Sequence, residues 1–440
     1  MKEIISKAYK FRIYPNKKER EYFSKAFGHT RFLYNKLLAE KSELYKKDKT
    51  KVSKGDSSKR ITELKKEESF SWLSDVHSQV LQRANHDLYN AFDRFFKKIG
   101  GAGYPKFKKK GVAKDSFSVP QNFSIDPINN SITIPKLKTP IKTKFHRSLK
   151  GVERVNNITI SRSPTGKYYA SLNVYESIVY KKPVKKITKG TRTVGLDLGI
   201  TDLLIESNGN RVNNPKYLKK SEKKLKAAQR RLSKKTKGSS NRKKMRLKVA
   251  KIHEKIKCQR SDFLHKVSSR IISENQVVFL EDLNVKGMMK NRKLSKAIGD
   301  VSWGEFVRQL RYKAKWNGVR VFQIGRFEPS SKLCSTIGCE FKHTKESLPL
   351  SIREWECPSC GVIHDRDINA AKNVENIGRD TAEFKPVEKL TTALSKKTTK
   401  QVGSMKQESL ASQDARYFNA ERMSRQIYRV CFILERFDFV

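Results

Sequence analysis

Acidic residues are scarce in this chain: 44 Asp and Glu stand against 96 Lys and Arg, leaving a formal net charge of +52 over 440 residues. An enzyme of small molecules has no use for so one-sided a charge. The imbalance implies a polyanionic partner, and nucleic acid fits best. Long apolar runs are missing too. No stretch of about 18 apolar residues occurs, which excludes a membrane-spanning helix, and no lipidation signal supports the rival reading of a basic membrane-surface protein. No secretory signal is present, so cysteines are expected to stay reduced rather than pair as disulfides. Cysteine is itself rare, with six in the chain. Two of them, Cys258 and Cys431, stand alone and read as ordinary buried thiols. Aromatic residues, at 10%, are too many for a merely disordered basic tail. The length allows a sizeable core divided among two or three domains.

The other four cysteines come in two short-spaced pairs, Cys334 with Cys339 and Cys357 with Cys360. Thiolates are soft donors that suit tetrahedral zinc, and two such pairs separated by roughly 15–20 residues have the spacing of a zinc ribbon. In the second pair, Gly361 directly follows Cys360 and lets backbone amides turn toward sulfur. The first pair has four residues between its cysteines where two are usual, so its knuckle is expected to bulge. Four thiolates leave no open position for water, which makes the zinc structural rather than catalytic.

Directly after the second pair comes an acidic knot, His364-Asp365-Arg366-Asp367, followed by Asn369, Ala370, Ala371 and Val374. That spacing predicts a small-faced helix able to pack close to a sheet. Alone, an Asp at such a helix start reads as a cap. Two further acids sit oddly, however. Asp197 lies in the apolar run Thr193 to Gly199, flanked by glycines that permit close approach of a backbone or a phosphate. A buried strand carrying a lone acid needs a reason for it. Gln276 to Leu283 reads as a second buried strand, ending in Glu281. Singly, each is a strand-end acid capping a neighbouring turn. Together, Asp197, Glu281 and Asp367 are the hard-oxygen set that two-metal phosphodiester hydrolysis uses to hold Mg²⁺.

Taken in order, residues 5–14 alternate apolar and basic positions as an exposed-face strand does, and Pro15-Asn16 breaks it. Lys17 to Lys47 reads as a helix, 48–60 as polar and flexible, and Val76 to Lys98 as a strongly amphipathic helix. The polar face of that second helix, with Gln79, Gln82, Arg83 and Asn85, is free to meet DNA. Gly100 to Gly111 is a Gly-rich turn leading into a basic patch in which Tyr104 and Phe107 interleave with Lys106 and Lys108, suiting stacking plus phosphate contact. Short strands follow from Ser116 to Ser177. With residues 5–14 they suggest a small β-barrel into which the helices are inserted. Residues 217–275 form two long basic helices broken at Lys237 to Ser240. The outer face of the second carries Arg242, Lys243, Lys244, Arg246, Lys248 and Lys251, an excess of one sign that favours phosphate contact. Asn284 to Met289 reads as a mobile loop, Trp303 to Asn317 as a helix and Val319 to Ile324 as a strand. Strands, helices, strand, helix, strand, cysteine insert and helix together fit an RNase H-like mixed sheet. Beyond about Gly378 periodicity is lost, although Tyr417 to Val440 has enough apolar residues for one late element.

KAYKFRIYPNKKEREYFSKAFGHTRFLYN near the start, GLDLGI, FLEDLNVKGMMKN, the cysteine pairs and HDRDINAAKN occur in that order over about residues 1–380. In this the chain resembles the TnpB family, the RNA-guided DNA endonucleases of insertion-sequence transposons and relatives of type V CRISPR effectors. The resemblance implies a multidomain α/β protein, with an RNase H-like (RuvC) nuclease domain at 191–326 and 364–380 holding a zinc ribbon insert at 327–363. It implies a wedge-like β-barrel at 1–16 and 99–180, a helical recognition domain at 17–98, a linker at 181–190 and a flexible tail at 381–440. Asp197, Glu281 and Asp367 correspond to the three RuvC acids, and the family pattern favours Asp367 over Asp365. Mg²⁺, two ions, and structural Zn²⁺ are the implied cofactors. A guide RNA from the transposon end and double-stranded target DNA beside a short flanking motif are the implied partners, with a monomer in the prokaryotic cytosol or nucleoid. The alternatives are a nuclease-inactive RNA-guided DNA-binding repressor, a DNA transposase or its accessory, and a sugar-kinase or actin-like phosphotransferase, whose related fold also uses a GxDxG strand. The last has no use for the charge or the ribbon.

Overall fold

The computed structural model describes residues 2–179, 182–344, 348–349 and 351–383. The sequence expectation of a late element at 417–440 lies outside them. Within the described residues the chain divides into two compact units, 2–179 with 236–251, and 182–235 with 252–383.

The first unit starts with strand β1 (Lys2–Ile13), and helix α1 (Lys17–Asp48) follows. Pro15 cannot extend the ladder, and Asn16 opens α1 with a capping box. Its side chain accepts the Glu19 amide at 2.9 Å while the Glu19 carboxylate accepts the Asn16 amide at 2.8 Å. Residues 48–60, expected to be flexible, differ: Ser53 and Asp56 form a second capping box that opens α2 (Lys54–Lys66). The helix is then held by Ile61 and Leu64, both buried against Leu33, Leu37 and Leu38 of α1. Helix α3 (Ser78–Phe96) buries Val80, Leu81, Ala84, Leu88 and Phe92, the face its spacing predicts. Strands β2 (Asp115–Val119), β3 (Ser124–Asp126), β4 (Ser131–Thr133), β5 (Ile141–Lys144), β6 (Val152–Arg162) and β7 (Tyr168–Val179) join β1 in one antiparallel sheet, ordered β2-β6-β7-β1-β5-β4-β3. The described ladder pairs leave β2 and β3 as its ends. Phe11, Phe23, Phe27, Phe117, Ile158 and Leu172 fill its core.

The second unit carries β8 (Thr193–Asp197), β9 (Asp202–Glu206), β10 (Arg211–Asn213), α4 (Tyr217–Ser233), α5 (Ser240–Glu274, whose first turns fall in the other unit) and β11 (Val277–Leu280). Then come α6 (Val285–Met288), α7 (Ser295–Val301), α8 (Trp303–Asn317), β12 (Arg320–Gln323), β13 (Glu354–Glu356), β14 (Ile363–Asp365) and α9 (Arg366–Glu383). The expected mobile loop at 284–289 is instead the short α6, capped by the Asn284 side chain. Five strands form a mixed sheet ordered β10-β9-β8-β11-β12, in which β11 runs parallel to both β8 and β12 and β9 runs antiparallel to β8.

Strand alternation sorts this sheet into two faces. Val194, Leu196, Leu198, Val278 and Leu280 pack with residues of α5 and α8. Val277 and Phe279 face the other way and pack with Val374 and Ala382 of α9. Two glycines let α9 sit directly on that second face. A Cβ on Gly195 would lie 2.2 Å from the Ala371 carbonyl oxygen, and one on Gly378 would lie 2.2 Å from the Phe279 ring. The close approach the sequence suggests at Gly195 is therefore that of a helix backbone.

Candidate active site and metal centre

Register and alternation bring the acids to one place. Gly195 pairs with Phe279 and Leu196 with Leu280 across the parallel strands β8 and β11. One residue further, Asp197 and Glu281 end neighbouring strands on the face that α9 covers. On α9, Asp367 stands one turn before Ala371, the residue that touches Gly195. Asp197 feels both partners. Burial first, then the charges of Glu281 and Asp367, push its carboxyl up to about 7. Crowded like charges of this kind are what a bound cation relieves.

The neighbours of the other two acids differ. The Ser330 hydroxyl donates to Glu281 Oε1 at 2.5 Å. Asp367 lies between two guanidinium groups, Arg211 at 3.5 Å from Oδ2 and Arg353 at 3.4 Å from Oδ1. Asp365 is otherwise employed. Its Oδ1 accepts the amides of Asp367 and Ile368 at 3.1 and 2.9 Å, so it caps α9, while Oδ2 pairs with Arg211 at 2.6 Å. The cap that the sequence reading weighed for Asp367 belongs to Asp365. Beside Glu281 opens a cleft of about 570 Å³, whose lining includes Trp303, Arg308, Arg311, Tyr312 and Lys315.

The cysteines form a separate centre. Among the described residues they form a group whose ligand atoms all lie within 4.8 Å of one another. Cys334 Sγ is 3.7 Å from Cys360 Sγ, and Cys339 Sγ is 3.7 Å from Cys357 Sγ. A disulfide needs about 2.05 Å. Four sulfurs at about 2.3 Å from a tetrahedral zinc sit about 3.8 Å apart, so the spacing fits zinc and not a cross-link. The expected bulge in the first knuckle is a turn closed by the Cys339 amide on Thr336 O at 3.0 Å, with Gly338 at φ +80°. Gly361, at φ +67°, closes the second knuckle by donating to Cys357 O at 2.8 Å. Burial pushes the Cys334 thiol up to about 11, whereas the Val362 amide holds Cys360 down to about 7. The fifth described cysteine, Cys258, is exposed, against the expectation of a buried thiol, because its place on α5 faces away from the helix's apolar stripe.

The candidate nucleic-acid residues divide. Asn85 is fully buried and spent on α2, donating to Lys54 O and Ser58 Oγ at 3.2 and 3.0 Å, so it is not free to meet DNA. Gln82 donates to Ser58 O at 3.4 Å, Arg83 pairs with Asp87 at 3.4 Å, and Gln79 is half-buried. Lys106 is exposed. Lys108 is half-buried with its ammonium 3.8 Å over the Tyr34 ring, and burial lowers its pKa. Lys243 and Lys244 are exposed and Arg242 is half-buried. Sequence reasoning missed Ser330, Arg211 and Arg353 around the acids. It placed Asn369 on the helix without a role and passed over Asn373 and Asn376, whose helical spacing from it was the available signal.

Comparison with known proteins agrees along the chain's length. Residues 177–292 match a family model described as "Probable transposase", 303–374 match "Cas12f1-like, TNB domain", and 1–50 match "Helix-turn-helix domain". In this structure residues 2–48 form one strand and one long helix, β1 and α1. A Streptomyces pristinaespiralis protein named "Putative RNA-guided DNA endonuclease" is 38% identical over 85% of this chain and 90% of its own length. An Escherichia coli K12 protein named "Putative RNA-guided DNA endonuclease InsQ" is 31% identical over 83% of this chain and 91% of its own. The protein in a Cas12f1–sgRNA–target DNA complex overlaps 85% of the chain at 14% identity and a TM-score of 0.48, a likeness on which nothing here rests. No helix among the described residues is long and apolar enough to cross a membrane. At 38% identity across nearly the whole of a relative, this chain belongs to the transposon-encoded TnpB family of RNA-guided DNA endonucleases.

Proposed function

We propose that the chain cleaves DNA phosphodiester bonds at a site selected by a bound guide RNA, acting as a monomer with an RNase H-like (RuvC) nuclease domain. The observation that carries the reading is the meeting of Asp197, Glu281 and Asp367 at the α9-covered end of β8 and β11. Divalent Mg²⁺, held there as a pair, would supply Lewis acidity and a nucleophilic water at neutral pH. The three residues offer hard carboxylate oxygens for it, and Asp197 gives up its proton when it binds. Asp365 keeps its oxygens on the α9 cap and on Arg211. Arg311 and Lys315, lining the cleft beside Glu281, offer cationic contacts to a phosphodiester strand lying there. The four cysteines hold zinc and keep the ribbon folded.

Sequence selection falls to the guide, and the protein reads only a short flanking duplex motif. Half-buried Gln79 and Arg83 on α3, exposed Lys106, and exposed Lys243 and Lys244 on α5 serve nucleic-acid contact. The test is to purify the protein from its own locus and sequence the RNA that comes with it. A discrete RNA ending in a variable segment supports the reading. Random fragments lost as salt rises reduce it to nonspecific polyanion binding.

A further inference from the structure

The segment Ser330 to Ser335 touches both halves of the candidate chemistry. At one end the Ser330 hydroxyl donates to Glu281 Oε1 at 2.5 Å. At the other, Cys334 enters the four-cysteine cluster. Between these ends α9 holds the segment by its backbone. Asn373 Nδ2 donates to Ser330 O at 2.8 Å and to Leu333 O at 2.6 Å. Asn369 Nδ2 donates to Leu333 O at 2.8 Å, and its Oδ1 accepts the Ser335 amide at 2.9 Å. Both asparagines are 1% exposed. Buried amides in such numbers are costly unless each finds a partner, and here each does. The same helix carries Asp367 in its first turn.

We infer that Ser330 is a positioning residue for Glu281, and that the Ser330–Ser335 strap makes the alignment of Glu281 and Asp367 depend on the cysteine centre. The strap gives Glu281 a fixed hydroxyl donor on one oxygen, which holds the carboxylate in one orientation. A carboxylate free to rotate at a strand end loses that orientation. Asn373 holds the Ser330 carbonyl, which keeps the hydroxyl within reach of Glu281. The inference rests on Glu281 being a cation ligand, as proposed above.

The experiment titrates Mn²⁺ into the zinc-loaded, RNA-free full chain, followed by electron paramagnetic resonance, for wild type, Ser330→Ala, Ser330→Thr and Glu281→Gln. Zinc content and melting temperature are recorded for each. Second-layer partners of metal ligands are commonly worth about 10- to 100-fold in metal affinity. Ser330→Ala is expected to weaken Mn²⁺ binding by that factor with zinc content and melting unchanged, and Ser330→Thr, which keeps the hydroxyl, is expected to restore it. Wild-type affinity in Ser330→Ala, alongside weak binding in Glu281→Gln, overturns the positioning role and leaves the cation site standing. Failure of Ser330→Thr to restore affinity also overturns it. Wild-type affinity in Glu281→Gln overturns the ligand role of Glu281 and this inference with it.

Discussion

Two candidate metal centres lie seven residues apart in sequence at Cys360 and Asp367, and they are built on opposite principles. Four cysteine sulfurs wait within 4.8 Å of one another, brought there by two backbone turns. The carboxylates lean on other groups instead. Asp197 is pushed up to about 7 by burial and by its acidic neighbours, Asp367 leans on two arginines, and Glu281 takes a hydroxyl. The soft site is closed and carries its own geometry. The hard site is open, and its geometry is borrowed from groups around it. Closure suits a structural ion, and openness suits a site that must admit a phosphodiester and water.

The largest expected break in this contrast is between Asp367 and Asp365. Asp367→Asn should lower cleavage by about 10³-fold, equivalent to the several kcal/mol a bound cation supplies to the transition state. Asp365→Asn should retain most activity, since Asn also caps helices, and cost about 1 kcal/mol or less through its lost ion pair with Arg211. Steady-state cleavage and urea unfolding of both variants check this.

Removing zinc attacks the borrowed geometry from outside. Cys357→Ser should abolish stoichiometric zinc, read by atomic absorption, and raise hydrogen exchange in α9 around Asn369 and Asn373. Unchanged exchange there would sever the ribbon from the acids. Gly195→Ala should leave zinc in place yet destabilise the second unit by about 3 kcal/mol, because its methyl meets helix backbone rather than a yielding side chain. Thermal unfolding with zinc analysis separates the two effects.

A further effect is a pH dependence. In the absence of divalent ions the folded pKa of Asp197 is about 7, above its ordinary 3.8. Its contribution to stability is therefore fully present below about pH 4 and is lost as pH rises to 7. Asp197→Asn should raise the melting temperature relative to wild type at pH 8, and the gap should close below pH 4. Saturating Mg²⁺ should reverse the order at pH 8 by stabilising only the wild type.

Much of this was legible in the sequence, for reasons that differ by feature. Alternation and helical spacing located β1, α1, α3 and α8, because burial of one face imposes a period, and unbroken apolar runs located β8 and β11, which are buried on both faces. The four clustered cysteines announced themselves by residue type, and the three acids by standing in apolar runs or at a helix start. Helix α2 was hidden because it carries only two large apolar residues, Ile61 and Leu64, while its real signal was the Ser53 and Asp56 capping box. The misplaced cap at Asp367 shows a second limit: either Asp of the pair can start a helix, and only the backbone decides. Ser330, Arg211 and Asn373 were illegible singly. Their roles come from contacts across 49, 156 and 43 residues of sequence, which no local pattern encodes.

The central claim is most directly tested by cleavage of a plasmid. The protein is loaded with the RNA that co-purifies with it and given Mg²⁺ and a plasmid that carries, beside a randomised flanking segment, the sequence complementary to that RNA. The account predicts double-strand cleavage that requires the matching sequence, enriches one short flanking motif among the cut plasmids, and disappears in Asp197→Ala while RNA retention is unchanged. Cleavage that ignores the match, or that persists in Asp197→Ala, would contradict it.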